Sequence, residues 1–534
     1  MAFVLNSADT KQLSFSDSFN FLTIREQRFL DKSWAKAFAE IIFPAIDEKP
    51  FSVLYSNKDS RPNSPVNVTI GALIIKELVG SSDDEIEESL MFDIRYQYAL
   101  HTTHFEEQPI SDRTLGRFRE RCNAYELETG IDLIHDTVVS LAKEMSKLMK
   151  TDHQLKRMDS LMVASNIKKM SRLELLYTCV ANLVKQMNKN QMEIPEQLQH
   201  YIEENDRNQI IYHNHSEETL SKIDIVLKDS HTLMELCTGH MDESSAYLLL
   251  VRVLREQTSQ DADGNYHLKE AGNGMNGSIL QNPADPDATY RKKAGKQYRG
   301  YVANVVEETG ENGGLVMEYQ YEQNIHSDSQ FAKEVIDQLG TQEETMTIVA
   351  DGAYSGSDNE RAAAENNIEL ATTNLTGREA PDIYADFEFN EDGSRVVRCA
   401  GGCTPKSCSY NRQSGQCVAS FERSQCEECP LKKQCDPKMN NRTSRKTVSA
   451  KGKSRAEQQR FRSSEEFKKM SAFRNGVESI PSILRRKYNT DHIPARGKLR
   501  SKLFFGFKIA ALDFTKLCKN LHDRDKCAPK AVIA

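Results

Sequence analysis

The spacing of apolar and polar residues changes along the chain, and the changes mark out its elements. VTIGALIIKELVG (68–80) has an apolar helical face and ends at Gly80, which predicts a helix stopped by glycine. SSDDEIEESLMFDIRYQYAL follows, with Ser82 or Asp83 as N-cap and acids in the first turn, another helix start. ISDRTLGRFRERC (110–122) opens on a Ser-Asp cap and carries Arg113, Arg117, Arg119 and Arg121 on a third helix. Three short helices with a basic last member suit a helix-turn-helix-like DNA module or an ordinary helical bundle. LKRMDSLMVAS (155–165) reads as a strand containing Asp159, and a long charged helical stretch follows it. Residues 256–296, rich in Gly, Asn, Asp and Pro, read as a loop.

The second half alternates more regularly. QYRGYVANVVEET (297–309) and GLVMEYQYEQN (314–324) flank GENGG, a hairpin signal. SDSQFAKEVIDQLG (327–340) is a capped helix, TMTIVADGAYSG the next strand, SDNERAAAENN (357–367) a helix and IELATTN (368–374) a strand. After a cysteine-rich and basic segment, 464–488 and 500–518 are helical. With the helical and cysteine-rich inserts set aside, the order predicts an α/β fold with a five-stranded mixed sheet flanked by helices. The expected divisions are a helical N-terminal domain (1–150), the first part of the core with its helical insert (151–395, insert 166–256), a Cys-rich and basic insert (396–462) and the C-terminal part of the core (463–534).

Composition and charge then narrow the function. No apolar run is long enough to cross a membrane, and the start lacks the pattern of an export signal. The net charge of −8 argues against a polyanion partner until its distribution is seen. Residues 432–462 carry eleven Lys and Arg against Asp436 and Glu457, and residues 485–508 carry eight against Asp491. A basic block in an acidic chain can bind nucleic acid locally; the alternative for 438–462 is a solvated, partly disordered loop.

Seven of the twelve cysteines lie between Cys399 and Cys435, which suggests metal before disulfides and a reducing compartment. Cys426-x2-Cys429-x5-Cys435 has ligand spacing for a structural Zn²⁺, with Cys399, Cys403, Cys408 and Cys417 as candidates for the fourth thiolate; Cys399 and Cys417 are the selected ones. Cys122, Cys179, Cys237, Cys518 and Cys527 are scattered and read as structural.

Three carboxylates complete the pattern. Asp159 lies in the first strand, Asp351 ends the fourth, and Glu478 lies on the helix after the last. Open α/β sheets hold ligands at strand ends, and Mg²⁺ prefers hard oxygen ligands. Taken alone, Asp351-Gly352 is an ordinary turn pair.

The motifs MDSLMVASN, DPDATYRKKAGKQYRGYVANV (285–305), VADGAYSG and RNGVESIPSILRRKY, in this order, resemble those of DDE transposases of bacterial insertion sequences, which have a ribonuclease H-like core. The N-terminal SRPNSP, GALIIKEL and SDRTLGRFRERC resemble the amino-terminal domain of the same family, so the resemblance covers roughly 20–520. It implies that Asp159, Asp351 and Glu478 hold two Mg²⁺ ions, and that the protein cuts transposon ends and joins them to target DNA. A branch of the family adds a Tyr, Arg, Glu, Lys signature; here those slots hold Ser471, Arg474, Glu478 and Arg485, so the signature is degraded. On a continuous helix Arg474, Glu478 and Arg485 would share a face, but Pro481 should kink or restart it. Arg474, Arg485 and Lys487 would hold DNA phosphates, and Arg113 and Arg117 the terminal repeats. Double-stranded DNA (terminal inverted repeats and target), a homodimer and a place in the bacterial cytoplasm at the nucleoid are the expected partners and location. Tyr354 is a further residue expected near DNA. A decayed transposase that binds without cutting, and a related nuclease without strand transfer, remain open alternatives.

Overall fold

The computed structural model describes residues 1–6, 17–56, 58, 61–105, 108–111, 113–212, 218–262, 264–270, 276–293, 295–372, 380–462 and 464–527. The chain divides into two compact units, Met1–Met346 with Glu478–Ala534, and Thr347–Val477. The first unit therefore joins the expected N-terminal domain and the C-terminal stretch, which the linear division had kept apart.

In the first unit the regular elements before the first strand are helical. Ser82, not Asp83, caps Asp83–Phe92, and its hydroxyl and the Glu85 carboxylate form a reciprocal capping box. Val66–Val79 ends at Gly80 as expected, but it is buried on nearly every side, Lys76 and Glu77 included, not on one face alone. Its surroundings explain this. The long helix Lys498–Cys527 packs against it, against Thr114–Thr129 and against Leu133–Met149. Phe514 meets Phe38 edge-on with ring centroids 5.2 Å apart, and each buried aromatic of this kind contributes about 1.5–3 kcal/mol. The Thr114–Thr129 helix begins one or two residues later than the Ser-Asp cap implied, with Arg113 at the cap position; Asp112 lies outside the described residues.

Strand β1 (Asp152–Ala164) is longer than expected and pairs antiparallel with β5, with Asp159 opposite Val305. The loop assigned to 256–296 contains a small hairpin, β2 (Thr258–Gln260) with β3 (Tyr266–Leu268), and then β4 (Thr289–Lys293). The expected hairpin is β5 (Lys296–Gly310) with β6 (Gly313–Gln323), and β4 pairs with the first residues of β5. Gly300 sits in β5 at φ +140, and a Cβ there would lie 2.4 Å from the Ser165 amide nitrogen, so only glycine lets β1 and β5 meet. The helical insert (Arg172–Lys189, Thr219–Cys237, Ser245–Gln257) has its own apolar core, including Leu176, Val180, Leu227 and Leu250. Two of its buried tyrosines, Tyr177 and Tyr201, are satisfied by acids, as in the 2.7 Å bond from Tyr201 to Asp229.

In the second unit β7 (Met346–Ala350) and β8 (Ile368–Thr372) lie side by side, joined by the helix Ser357–Glu365. All strands expected for the sheet are present, together with the extra β4. The Cys-rich segment opens on a hairpin, β9 (Glu388–Phe389) with β10 (Val396–Arg398). A four-stranded antiparallel sheet follows, in the order β11 (Ser407–Asn411), β12 (Gln416–Glu422), β14 (Thr443–Val448), β13 (Lys438–Met439). The basic stretch is thus not a loop: it forms β13, β14 and the helix Ala450–Arg462. Arg460 is held by Asp382 and Asp386, with Nε 2.8 Å from Asp382 Oδ1, which takes it out of the pool of free cations.

Candidate catalytic and metal-binding residues

Asp159 is half-buried in the middle of β1, and its carboxylate accepts from the Ser160 amide at 2.9 Å. Glu478 belongs to the same unit. It is exposed and ends a short 3-10 turn, Gly476–Glu478, that leads into the helix Ser479–Arg486. Arg474, Glu478 and Arg485 do not share one continuous helix, in keeping with the interruption expected from Pro481: Glu465–Asn475 ends before the turn and a new helix starts at Ser479. The break falls before Pro481 because proline fits a helix's first turn, where its missing N–H would have had no partner. Arg485 donates to the Met162 carbonyl at 3.0 Å, so the helix after Glu478 is tied to β1 three residues beyond Asp159. Arg485 also lies 3.5 Å from Asp491, and Lys487 donates to Thr515 at 3.1 Å.

Asp351 belongs to the other unit. It stands at the C-terminal end of β7 and caps the turn Gly352–Tyr354, accepting from the Gly352 amide at 2.5 Å. The Asp-Gly pair therefore forms the turn expected of it. Tyr354 is buried, 1% exposed, so it packs in the unit and does not offer its ring to DNA. Arg113 and Arg117 are exposed, whereas Arg119 pairs with Asp83 and Arg121 lies over the Tyr55 ring. Arg474 is buried, 9% exposed.

The cysteines separate into two sets. Cys399, Cys403, Cys426, Cys429 and Cys435 line one small cavity of about 20 Å³. Gly401, between the first two, is crowded by thiols: a Cβ there would lie 3.0 Å from Cys429 Sγ and 3.8 Å from Cys399 Sγ. The Cys399 amide donates to the Cys403 carbonyl at 2.9 Å, closing the turn that presents both. Cys417, selected from the sequence, is not in this set. It sits on β12 diagonally across from Cys408 on β11. Burial, then Cys408, pushes its thiol up to about 11. Cys403 takes its place, and the Cys399-x3-Cys403 spacing around two glycines was the signal for it. Burial also raises Cys403 and Cys426, and takes Cys435 to about 11 against the pull of Lys446. Among the described residues no three His, Cys, Asp or Glu side chains are gathered closely enough to hold a metal ion. The donor chemistry nevertheless suits Zn²⁺ at the five thiols and Mg²⁺ at the carboxylates. Of the scattered cysteines, Cys122, Cys179 and Cys237 are buried and Cys518 partly so; the Cys527 side chain lies outside the described residues.

No helix among the described residues is long and apolar enough to cross a membrane. No curated protein and no solved structure matches the chain. Residues 398–518 match the family model described as Transposase DDE domain, a span that includes Glu478, Arg485 and the seven clustered cysteines but neither Asp159 nor Asp351. Residues 27–121 match the model described as Transposase domain (DUF772). These two matched stretches indicate a transposase, consistent with the DDE transposases of insertion sequences.

Proposed function

We propose that the protein cleaves the ends of its transposon and transfers them into target DNA, with Asp159, Asp351 and Glu478 as the acidic residues of the reaction centre. The observation that carries this reading is the transposase DDE match around Glu478, joined to two further acids in the matching sequence order. The position of Asp159 within β1 and of Asp351 directly after β7 supports it, because carboxylates on or next to strands can be aimed without loop mobility. Mg²⁺ bound by these carboxylates would supply Lewis-acid activation of the attacking oxygen and charge stabilisation at the leaving one. The carboxylates' own task is to hold hard oxygen ligands in place. Exposed cations of 432–508 would position the phosphate backbone, and Arg113 and Arg117 would meet the terminal repeats. In the first step water oxygen bonds to phosphorus and the P–O bond to the transposon 3′ oxygen breaks, freeing a 3′-hydroxyl; in the second that hydroxyl oxygen bonds to a target phosphorus while the P–O bond to the target 3′ oxygen breaks, leaving a target 3′-hydroxyl.

A structural Zn²⁺ in the second unit, a homodimer that pairs two ends, and work at the nucleoid complete the proposal. Ser471 in the tyrosine slot favours a second reading, a protein that binds the ends without cutting them. One assay separates the two. A duplex carrying the DNA that flanks this gene is incubated with the protein in Mg²⁺ or EDTA. Cleavage in Mg²⁺ alone, lost in Asp351→Asn while binding persists, is the expected result. Full cleavage by D351N removes the acid from the mechanism, and binding without cleavage by the wild type favours the second reading. Joined products distinguish strand transfer from simple nuclease action.

A further inference from the structure

The first unit contains a cavity of about 930 Å³ that the acidic residues above do not use. Its floor is a chain of charges on buried helices. Lys508 pairs with Glu77, Lys76 lies 3.7 Å from Glu77 and 3.2 Å from Asp83, and Arg119 donates to Asp83 at 3.1 Å. The Phe504 ring lies between two of these cations, with Lys76 Nζ 5.1 Å and the Arg119 guanidinium 5.0 Å from its centroid. Three cations face two carboxylates there, so the floor keeps one positive charge. Lys487, Arg496 and Arg500 add three more at the wall, against the exposed Asp84 and Glu120. Arg496 donates Nε to the Asn166 carbonyl at 2.8 Å, which leaves its terminal nitrogens to other partners, and among the described residues no hydrogen bond or ion pair engages the Arg500 side chain. Small-molecule pockets are mostly apolar, with few polar groups; this cavity carries charged side chains from several elements, with six cations among them.

We infer that this cavity binds the sugar–phosphate backbone of DNA, with Arg496, Arg500 and Lys487 as the phosphate contacts. The inference rests on the transposase reading and deepens it. It makes the helices matched by the N-terminal transposase domain and the C-terminal basic segment two walls of one site: Lys76 and Arg119 fall in the first, Arg496 and Arg500 in the second. Guanidiniums suit the role because their planar fork meets two phosphate oxygens at once. Burial lowers Lys487, the expected state of an ammonium that lacks a counter-anion.

The test is binding of a fluorescein-labelled random-sequence DNA duplex to the full chain, by anisotropy in EDTA across a KCl series. Each phosphate contact contributes about 0.9 to the slope of log K against log salt. Arg496→Ala with Arg500→Ala should weaken binding several-fold at low salt and flatten the slope by about 1.8, while R500K restores most of it. The fluorescence of Trp34 must stay at its wild-type value to show an intact first unit. An unchanged slope in the double variant overturns the cavity and leaves the transposase reading standing. A wild-type chain that binds no duplex at low salt overturns both. Inorganic phosphate supplies the other arm: if the double variant loses phosphate binding but holds DNA like the wild type, the cavity takes free phosphate and the inference fails.

Discussion

Asp513 is fully buried on the helix Lys498–Cys527, where it holds that helix to β6 by accepting from the Val316 amide at 3.0 Å. Its second oxygen has no hydrogen-bond partner among the described residues. Burial raises the group from 3.8 to about 7, against the opposing pull of Lys516 and the Val316 bond. A carboxyl raised in the folded state is stabilised protonated, so folding takes up a proton between the unfolded and folded pKa values. Stability is then undiminished below about 3.8, falls as pH rises, and reaches its full loss above about 7. At about 1.4 kcal/mol per pH unit, the whole cost is about 4 kcal/mol. Asp513→Asn keeps the acceptor for Val316 and cannot ionise. Its stability advantage over the wild type should therefore grow by about 2.5 kcal/mol between pH 5 and pH 8 and then level off. Urea unfolding followed by Trp34 fluorescence reads this, since the one tryptophan lies in the first unit, edge-on to Tyr96 with centroids 5.3 Å apart. Subtracting variant from wild type cancels every other titrating group. A difference that stays constant between pH 5 and pH 8 would refute the argument.

Two further outcomes follow from the same structure. Glu308 accepts from Lys156 at 2.8 Å and from Ser146 at 3.1 Å, and lies 2.7 Å from His153; burial opposes its ionisation, but these partners, Lys156 first, hold it down at about 2. Its contribution is present above about 4.5 and lost as pH falls toward 2, so Glu308→Gln, which strands Lys156, should cost about 3–5 kcal/mol at pH 7 and far less near pH 2 in the same unfolding assay. The thiol cavity should bring about one Zn²⁺ per chain through purification, measured by atomic emission; Cys403→Ser should lower that ratio and Cys417→Ser should not, and loss in C417S alone would reverse the assignment.

Much of the architecture could be read from periodicity and caps. Ser82, Ser327 and Gly340 end or begin helices where their chemistry predicts, because capping is a local interaction. The GENGG hairpin and β7 followed for the same reason. What escaped was long-range. Nothing local in VTIGALIIKELVG tells that its Glu77 is buried against Lys508, or Lys76 against Phe504, both more than four hundred residues later in sequence. The choice between Cys403 and Cys417 depended on strand register, which one sequence does not reveal: Cys417 follows β12 to Cys408, whereas the Gly401-Gly402 turn brings Cys403 to the others. Tyr354 looked available because it follows a turn, yet that turn folds it inward. Arg496 and Arg500 were counted only as part of a net charge; their place opposite Arg119 needed the fold.

The packing of Lys498–Cys527 on the helices before β1 has a consequence for how the protein is made. The first unit is discontinuous, and its closing helix is synthesised only after the whole of the second unit. On the ribosome, the second unit can fold from a contiguous stretch, while the first waits with Phe38 lacking Phe514 and Glu77 lacking Lys508. A message truncated within the second unit would thus release a chain whose N-terminal helices stay open to chaperones and proteases. The same dependence means that shortened copies of the gene should yield degradation products, not competing half-proteins, a difference that pulse-chase labelling of such truncations can follow.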